Sequence, residues 1–514
     1  MVSVIKSCTM NGICGEITKV ECDISRGMPM LNIVGLPDTA VKESKERLRA
    51  AINNSGLTFP LSKRITINLS PAGTKKEGTH MDLAMALSLL VCADDIYNER
   101  IGKYIVLGEL SLDGRVNSAG RITPILMSLK RDNFKSVIIP KEDVEKAIII
   151  EGIDIYPVET LYEAYGFLKG TVHIDKISGR RPERIAEKEA NGADFSEVKG
   201  REEAKRAVEI CMSGFHNLLL TGPPGCGKSM IAKRIPSVLP EMSYEEMMEV
   251  MSLYSISNDE TYSADLRYKR PFRDPAANIS LSAMIGGGGG MPKPGEISLA
   301  HNGVLFLDEM PEFRRDVLEA LRQPLEDEKV SISRASGKTT YPCKFIMIGA
   351  RNPCPCGHLN DPLHRCSCTS MQIKKYKDRI SGPIMDRFDI FVDMTAYNNE
   401  KEYAFEDSSA GKDSKSMKKS ICLAGDIQAE RYKKESFKYN SQLKGQALQK
   451  YCCLDGEGKE LYAAGCSALK VSKRGADKVL KVARTIADLE GEEFIKSVHL
   501  AEAFQFRRRD EAEV

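Results

Sequence analysis

The sequence predicts an α/β protein of several domains, and three observations support this fold class. An apolar run, Leu218–Leu220, leads directly into a glycine-rich loop, and a helical pattern begins at Met230. Over residues 1–170, segments typical of strands are interspersed with helical patterns. After residue 423 apolar residues recur at helical spacing. We therefore expect a strand–loop–helix core, with an α/β domain before it and a helical domain after it.

Length and composition indicate an ordinary multidomain globular protein. The 514 residues are too many for one hydrophobic core, and 42% hydrophobic with 28% charged residues is unremarkable. With a net charge of only +2, any contact with a polyanion must use local basic patches. Leu83–Ala93, the most apolar stretch, is too short to cross a bilayer, and no N-terminal signal pattern occurs. Most of the 15 cysteines are isolated, which favours reduced thiols and a cytoplasmic protein with no membrane partner.

The glycine-rich loop predicts a nucleotide-binding site. Its residues are Gly222, Pro223, Pro224, Gly225, Cys226, Gly227, Lys228 and Ser229. Strand, loop and helix start follow in the order that a P-loop requires, with backbone N–H groups arranged around phosphate oxygens. Lys228 would reach the β- and γ-phosphates of ATP, and Ser229 would hold Mg²⁺. A simple Gly-Pro turn explains less, because the flanking strand and helix patterns are also present.

Residues 1–170 are predicted to form a mixed α/β domain. Helical patterns cover Val41–Asn53 and Met81–Leu90. The segments typical of strands are Ile17–Ile24, Leu31–Val34, Ile65–Leu69, Tyr104–Leu107, Ser136–Pro140 and Ile153–Tyr156. The charged stretch 171–195 lacks periodicity, so we expect a linker there.

A second nucleotide signature follows the P-loop. The apolar segment Gly303–Leu307 ends in Asp308 and Glu309, as a Walker B strand does. Asp308 would support Mg²⁺, and Glu309 would polarise the attacking water, which predicts an ATPase. The 80 positions between Lys228 and Asp308 exceed what a minimal core needs, and the surplus includes five consecutive glycines, Gly286–Gly290. A disordered surface loop remains an alternative interpretation of these glycines.

Three further elements are expected after the Walker B strand. Phe313–Leu325 has a helical pattern, and Lys329–Tyr341 is typical of a hairpin with a Ser-Gly turn. The hairpin carries three basic side chains, which fit either nucleic-acid contact or plain solvation. Phe345–Arg351 is a buried strand pattern that ends at Asn352.

Four cysteines, Cys354, Cys356, Cys366 and Cys368, fall within fifteen positions. Tetrahedral Zn²⁺ prefers four soft ligands, so the sequence predicts a Cys₄ zinc site that braces this loop. C-x-C pairs are tighter than the usual C-x-x-C spacing. A mixed site that uses His358 or His364, and four free thiols, are the alternatives.

The C-terminal part is predicted to be helical. Residues 401–422 are polar and poor in apolar side chains, so we expect a flexible linker. Over 423–514 the helical patterns are Asp426–Glu435, Gln442–Tyr451, Lys459–Ala468, Gly475–Leu489 and Ile495–Phe506. They predict a helical lid.

Three amino-terminal motifs, Ile33–Pro37, Asn68–Ala72 and Gly108–Gly114, resemble those of Mg-chelatase-like AAA+ ATPases of the ComM/YifB type. In that family the amino-terminal domain is similar in fold to the proteolytic domain of Lon, a ribosomal protein S5-type α/β fold. The stretch Lys76–Leu83, where a Lon-type serine would fall, contains no serine, so proteolysis is disfavoured. The resemblance implies an AAA+ P-loop core over 196–400, followed by the lid.

The resemblance also implies roles for single residues. Asn352 matches sensor 1, Arg387 matches the arginine finger that acts on a neighbouring subunit, and Arg474 matches sensor 2. The Gly286–Gly290 loop and the Lys329–Tyr341 hairpin match the helix-2 insert and a second pore hairpin of a ring.

The sequence departs from the family pattern at two places. Ala276-Ala277 stand where the family usually has two histidines, and Ala424-Gly425 stand where it usually has an arginine. The role of the two histidines is therefore not carried over to this chain.

Taken together, the resemblance implies a hexameric ring, a homo-oligomer that uses ATP to move on DNA as a helicase. Branch migration during homologous recombination or natural transformation is the activity implied. Two alternatives from other classes are a metal-insertion motor of the chelatase type and an ATP-dependent protein-remodelling chaperone.

Overall fold

The computed structural model describes residues 2–94, 96, 101–183, 193–257, 259, 268–288, 292–334, 337–359, 361, 364–394 and 412–507. The strands are β1 (Val2–Asn11), β2 (Cys14–Ser25), β3 (Met30–Val34), β4 (Arg64–Ser70), β5 (Tyr104–Val106), β6 (Glu109–Leu110), β7 (Val116–Asn117), β8 (Ser136–Pro140), β9 (Asp154–Val158), β10 (Ile177–Ser178), β11 (Leu218–Thr221), β12 (Phe272–Arg273), β13 (Gly286–Gly287), β14 (Lys293–Pro294), β15 (Gly303–Leu307), β16 (Lys329–Arg334), β17 (Gly337–Pro342), β18 (Phe345–Arg351) and β19 (Ile390–Asp393).

The α-helices of these ranges are α1 (Thr39–Asn54), α2 (Asp82–Ala93), α3 (Ile122–Arg131), α4 (Val144–Ala147), α5 (Leu161–Lys169), α6 (Glu202–Gly214), α7 (Lys228–Arg234), α8 (Tyr244–Ser257), α9 (Leu281–Ile285), α10 (Glu296–Leu299), α11 (Arg315–Ala320), α12 (Pro324–Asp327), α13 (Ser370–Lys377), α14 (Gly382–Met385), α15 (Ser414–Arg431), α16 (Gly445–Tyr451), α17 (Gly456–Ala468), α18 (Lys473–Leu489) and α19 (Ser497–Gln505). None of the helices in the described part of the chain is long and apolar enough to span a bilayer.

The first of two compact units comprises residues 1–184, 244–267 and 333–340. Its eight-stranded sheet has the order β10-β9-β8-β5-β1-β2-β4-β3, with β2 antiparallel to β1 along the whole length of β1. Helix α2 packs on these two strands, and every residue from Asp82 to Val91 is buried. A largely apolar helix against a sheet face forms the core of this unit.

Some elements of the first unit differ from the sequence-based expectation. Strand β1 is not predicted, because its buried side chains include Ser7 and Thr9, which hide the apolar alternation. Strand β10 lies within the predicted linker 171–195 and extends the sheet by pairing with β9. Helix α8 and residues 333–340, although within the predicted 196–400 core in sequence, also belong to this unit.

The second unit comprises residues 185–243, 268–332 and 341–514. Its five-stranded sheet has the order β12-β15-β18-β11-β19, and every pairing is parallel. All residues of β15 are buried, as parallel strands covered on both faces require. Because parallel strands end at one edge, the loops after β11, β15 and β18 meet there. The predicted α/β class is confirmed.

Helices α15 to α19 form the helical part of the second unit, and α15 and α18 pack on α6. Helix α15 begins at Ser414, inside the stretch 401–422 for which the sequence predicts a flexible linker. Asp413 caps this helix by accepting a hydrogen bond from the Ser416 N–H (3.0 Å), and Met417 and Ile421 are buried. The remainder of that stretch, up to residue 411, lies outside the described residues.

The helix predicted over Phe313–Leu325 is interrupted. It consists of α11 and α12, with Pro324 as the first residue of α12. Proline has no backbone N–H and restricts the residue before it, so it starts a helix more readily than it continues one.

Candidate functional site

The glycine-rich loop after β11 lies at the carboxyl edge of the parallel sheet. Gly225 and Gly227 have φ values of +76° and +96°, which favour glycine. A Cβ on Gly222 would lie 2.5 Å from the carbonyl oxygen of Met394, so this position also excludes a side chain. The glycines thus stand where the loop backbone needs them.

Lys228 links this loop to the neighbouring strand. The side chain is only 9% exposed. Its Nζ donates to the carbonyl oxygens of Gly222 (2.7 Å) and Pro223 (2.9 Å). It also donates to Oδ1 of Asn352, which follows β18, at 3.1 Å. The structure therefore brings together the predicted phosphate-binding lysine and the predicted sensor 1 residue.

Ser229 and Asp308 form a second contact between the P-loop and a strand end. The Ser229 hydroxyl donates to Oδ2 of Asp308 at 2.7 Å, and Oδ1 of Asp308 accepts from the Glu309 N–H at 2.9 Å. A hydroxyl and a carboxylate are hard oxygen ligands of the kind that Mg²⁺ prefers. These two side chains fit the Mg²⁺ that the sequence predicts.

Glu309 has an unusual backbone. Its φ is +48°, in the left-handed region, although it is not a glycine. Such a conformation costs about 1–3 kcal/mol for a non-glycine residue and occurs often at functional sites. Here it turns the exposed Glu309 away from the buried strand β15. The geometry leaves this carboxylate accessible beside Asp308.

Tyr376 supports Asn352 from α13. The backbone of Asn352 hydrogen-bonds to the Tyr376 side chain, and burial raises the pKa of this tyrosine. Tyr376 is 7% exposed, so its ring also packs against the protein. The position of Asn352 is therefore fixed by both Lys228 and Tyr376.

The two predicted arginines take no part in the hydrogen-bonded group around Lys228. Nη2 of Arg387 lies 2.6 Å from a carboxylate oxygen of Glu326. The Nε of Arg387 is buried and has no acceptor among the described residues. Arg474 is exposed in the first turn of α18. The structure therefore does not bring these two residues together with Lys228.

The four clustered cysteines converge in one loop. Cys354, Cys356 and Cys366 have Sγ–Sγ distances of 3.4, 3.7 and 3.6 Å, and all four sulfur atoms lie within 4.8 Å of one another. A tetrahedral zinc with bonds of about 2.3 Å places its sulfur ligands about 3.8 Å apart. The backbone N–H groups of His358 and Ser367 lower the pKa of Cys356 to about 5, which favours the thiolate that metals bind.

The two histidines of this loop, His358 and His364, contact Asp361. Nδ1 of His358 and Nδ1 of His364 lie 2.9 and 3.3 Å from Oδ2 of Asp361, whose side chain is buried. The four thiols and the group of His358, Asp361 and His364 thus form two separate clusters of possible metal ligands.

The cysteine loop touches the P-loop. Gly357 has a φ of +84°, and a Cβ there would lie 2.4 Å from Cδ of Pro224. The loop that carries the thiols thus packs directly on the phosphate-binding loop, with no room for a side chain between them.

The hairpin β13–β14 contacts β16–β17 through Ile332 and Tyr341, which belong to the same second unit. Ile332 packs closely on Gly286: a Cβ added to Gly286 would lie 2.6 Å from Cδ1 of Ile332. The Tyr341 hydroxyl donates to the carbonyl of Pro292. Gly289 and Gly290 of the predicted insert, and Ser336 in the turn of the other hairpin, lie outside the described residues. The two elements that the resemblance places at a pore are therefore in contact.

Three family models match the chain. Those described as "Magnesium chelatase, subunit ChlI" and "Subunit ChlI of Mg-chelatase" match residues 194–402 and 20–143, and "Magnesium chelatase, subunit ChlI C-terminal" matches 411–507. The uncharacterized protein YifB of Salmonella typhimurium is 40% identical over 494 residues, or 96% of this chain and 94% of YifB. The chain belongs to the Mg-chelatase-like ComM/YifB family.

Two other relatives are informative. The competence protein ComM of Haemophilus influenzae is 36% identical over 506 residues, 98% of this chain and 97% of ComM. The Lon protease of the same organism is 28% identical over 164 residues, 30% of this chain and 20% of Lon. The predicted family and the AAA+ fold class with a Lon-like part are confirmed, and membership of the ComM/YifB family implies an ATPase that uses ATP and Mg²⁺.

One acidic residue near the Walker B strand of this ComM/YifB member is not predicted from the sequence. Asp274 follows β12, which pairs in parallel with β15. Burial, together with the charge of Asp308, raises the pKa of Asp274. The available signal is an aspartate directly after a short strand, but β12 is too short to be recognised by its pattern.

Proposed function

We propose that this ComM/YifB family member is an ATP-driven ring motor that acts on DNA, with branch migration or helicase activity in recombination or natural transformation. The observation that carries the proposal is the basic character of two hairpins, β13–β14 and β16–β17, each considered by itself. Their exposed basic side chains are Lys293, Lys329, Arg334 and Lys338. No aspartate or glutamate occurs in 286–294 or 329–342. A hairpin with basic and no acidic side chains suits the phosphate backbone of a nucleic acid.

The ATPase chemistry rests on the group around the P-loop. Lys228 would hold the terminal phosphates, and Ser229 and Asp308 would hold Mg²⁺. Glu309 would accept a proton from the attacking water, and Asn352 would orient that water. Mg²⁺ supplies neutralisation of charge that develops on the phosphate oxygens.

The proposal of a ring is based on Arg387 and Arg474. Arg387 pairs with Glu326 and takes no part in the hydrogen bonds of Lys228, so it fits a finger that reaches the nucleotide of a neighbouring subunit. Arg474, the sensor 2 candidate, is exposed. In a closed ring, which has six subunits by resemblance to the family, every arginine finger faces the nucleotide site of the next subunit. The name of the competence protein ComM supports the link to transformation.

The DNA proposal is tested with the double variant Arg334→Ala/Lys338→Ala. We expect weaker DNA binding and a salt dependence that is flatter by about one unit per lost phosphate contact, measured by fluorescence anisotropy from low to high salt. DNA should stimulate ATP turnover of the wild type, and less so of the variant. The matched control is Lys434→Ala/Lys459→Ala, which removes two exposed lysines from the helical part.

Two results would contradict the DNA proposal. One is unchanged DNA affinity in the hairpin variant, and the other is a wild-type ATPase that responds to none of single-stranded, duplex, forked and four-way DNA. Stimulation by unfolded protein instead would favour the remodelling alternative.

We further propose that Cys354, Cys356, Cys366 and Cys368 hold one Zn²⁺ that fixes the loop after Asn352. Protein purified without chelator is expected to contain about one zinc per chain by elemental analysis. The variant Cys366→Ser/Cys368→Ser should lose it, because a structural zinc needs four ligands. Cys453→Ser, at an exposed cysteine outside the cluster, is the control. The zinc proposal would be contradicted if the wild-type protein contained no metal, or if the double variant kept its zinc.

A further inference from the structure

All the polar contacts of the Lys478 ammonium, in α18, are made to the segment that carries Arg387. Its ammonium lies 2.9 Å from a carboxylate oxygen of Asp389. It also donates to the carbonyl oxygens of Asp386 (2.7 Å) and Phe388 (3.0 Å). An ammonium has three N–H groups, so all three are used on residues that flank Arg387.

The pair of Lys478 and Asp389 is an interior contact. Their side chains are only 15% and 10% exposed. Burial raises the pKa of Asp389, but the charge of Lys478 and the adjacent His216 outweigh it and hold that pKa well below its usual range. Asp389 is therefore a carboxylate at neutral pH. Such an ion pair holds α18 to the segment around Arg387, because separating the two side chains would leave an unpaired charge in the protein interior.

The same segment is tied to the start of the P-loop strand. Nδ2 of Asn217, the residue before β11, donates to the carbonyl oxygen of Arg387 at 3.0 Å. The backbone N–H of Asn217 donates to Oδ2 of Asp389 at 2.9 Å. From the helical part, Arg507 donates to the carbonyl oxygen of Phe388 at 3.1 Å. The backbone around Arg387 is thus held from both the sheet and the lid.

We propose that Lys478 is a positioning residue, which holds the segment Asp386–Asp389 and so fixes where Arg387 reaches the nucleotide of a neighbouring subunit. This inference rests on the proposed ring. A small shift of the backbone at Arg387 becomes a larger displacement at the guanidinium end of its long side chain. A misplacement of about 1 Å in a catalytic group can lower a rate by 10²-fold.

The matched control lies on the same helix. Lys481 is also largely buried, but its Nζ donates to the carbonyl oxygen of Ser441, within the helical part, at 2.8 Å. Burial lowers the pKa of both lysines. Lys481→Met therefore removes a second ammonium from α18, whose charge also acts on Asp389, but it removes none of the hydrogen bonds to Asp386–Asp389.

The test compares Lys478→Met, Lys478→Arg and Lys481→Met as full-length proteins. For Lys478→Met we expect ATP turnover to fall at least about tenfold, while the Kd for a fluorescent ATP analogue changes less than about twofold. Lys478→Arg should recover part of the turnover, since it keeps the charge beside Asp389 but cannot make all three contacts. It also keeps the test valid if Lys478→Met folds poorly. Lys481→Met should turn over ATP within about twofold of the wild type.

Mixing experiments separate a role across the subunit boundary from a local defect. Lys478→Met has an intact P-loop and a misplaced finger, whereas Lys228→Ala has the reverse, so their mixture should regain activity. Lys478→Met mixed with Arg387→Ala should regain none, because neither chain supplies a finger. The mixture of Arg387→Ala with Lys228→Ala measures whether fingers act across the boundary at all.

The outcomes distinguish two failures. If Arg387→Ala with Lys228→Ala regains nothing, the ring proposal is overturned and this inference with it. If that mixture regains activity but Lys478→Met with Lys228→Ala does not, only the role of Lys478 is overturned. Equal losses of ATP turnover in Lys478→Met and Lys481→Met would also contradict the positioning role and leave Lys478 with a structural role alone.

Discussion

Arg387→Ala is expected to lose about 10³-fold or more in ATP turnover while it still binds ATP. An arginine finger stabilises the charge that builds up as the phosphoryl group transfers, and this is commonly worth 10³–10⁵ in rate. ATP affinity should change little, because Arg387 takes no part in the contacts of Lys228, Ser229 and Asp308. Single-turnover hydrolysis and equilibrium binding measure the two quantities separately.

The control for this prediction is Arg314→Ala. Arg314 is an exposed arginine paired with the exposed Asp316, the kind of surface ion pair that contributes little. If Arg387→Ala turned over ATP as fast as Arg314→Ala, the residue would be only a surface partner of Glu326. Dilution should also lower turnover per wild-type chain, since a finger acts only within an assembly.

Glu309→Gln is expected to bind ATP normally and to hydrolyse it at least about 100-fold more slowly. The amide keeps the shape of the side chain but cannot take the proton of the attacking water, and removal of one transition-state group costs about 10²–10³. Lys228→Ala should instead lose nucleotide binding, because its Nζ sits at the centre of the loop. Rapid-quench hydrolysis and filter binding separate the two defects.

Glu457→Gln provides the matched change for Glu309→Gln, at an exposed position in the first turn of α17. It should leave turnover unchanged. Near-normal hydrolysis by Glu309→Gln would exclude this residue from the chemistry and direct attention to the neighbouring Asp274.

The sequence predicts the parts of the site that depend on short-range pattern. An apolar strand followed by glycines and Lys228, and another that ends in Asp308, are each visible within about ten residues. The helical lid follows in the same way from its periodicity. The boundary at Ser414 is missed because the polar first turn of α15 has little apolar content.

The parts that sequence reasoning misses depend on contacts between distant segments. Lys478 is 89 positions from Asp389, and nothing near either residue in the chain indicates that they pair. Asp274 is close to Asp308 only because β12 and β15 are neighbours in the sheet. The contact of Gly357 with Pro224 requires both loops to be folded. Such relations come from topology rather than from local propensity.

Because Gly357 packs closely on Pro224, we expect the ATPase to be sensitive to oxidants. A disulfide needs its sulfur atoms about 2.0 Å apart, whereas Cys354 and Cys356 have theirs at 3.4 Å. Oxidation of this pair would therefore shift the loop that carries Gly357, which packs on the phosphate-binding loop, and would release the proposed Zn²⁺. Peroxide is expected to inhibit the enzyme, and a thiol reductant together with Zn²⁺ should restore it. Stored protein that loses activity for this reason would be recoverable rather than denatured.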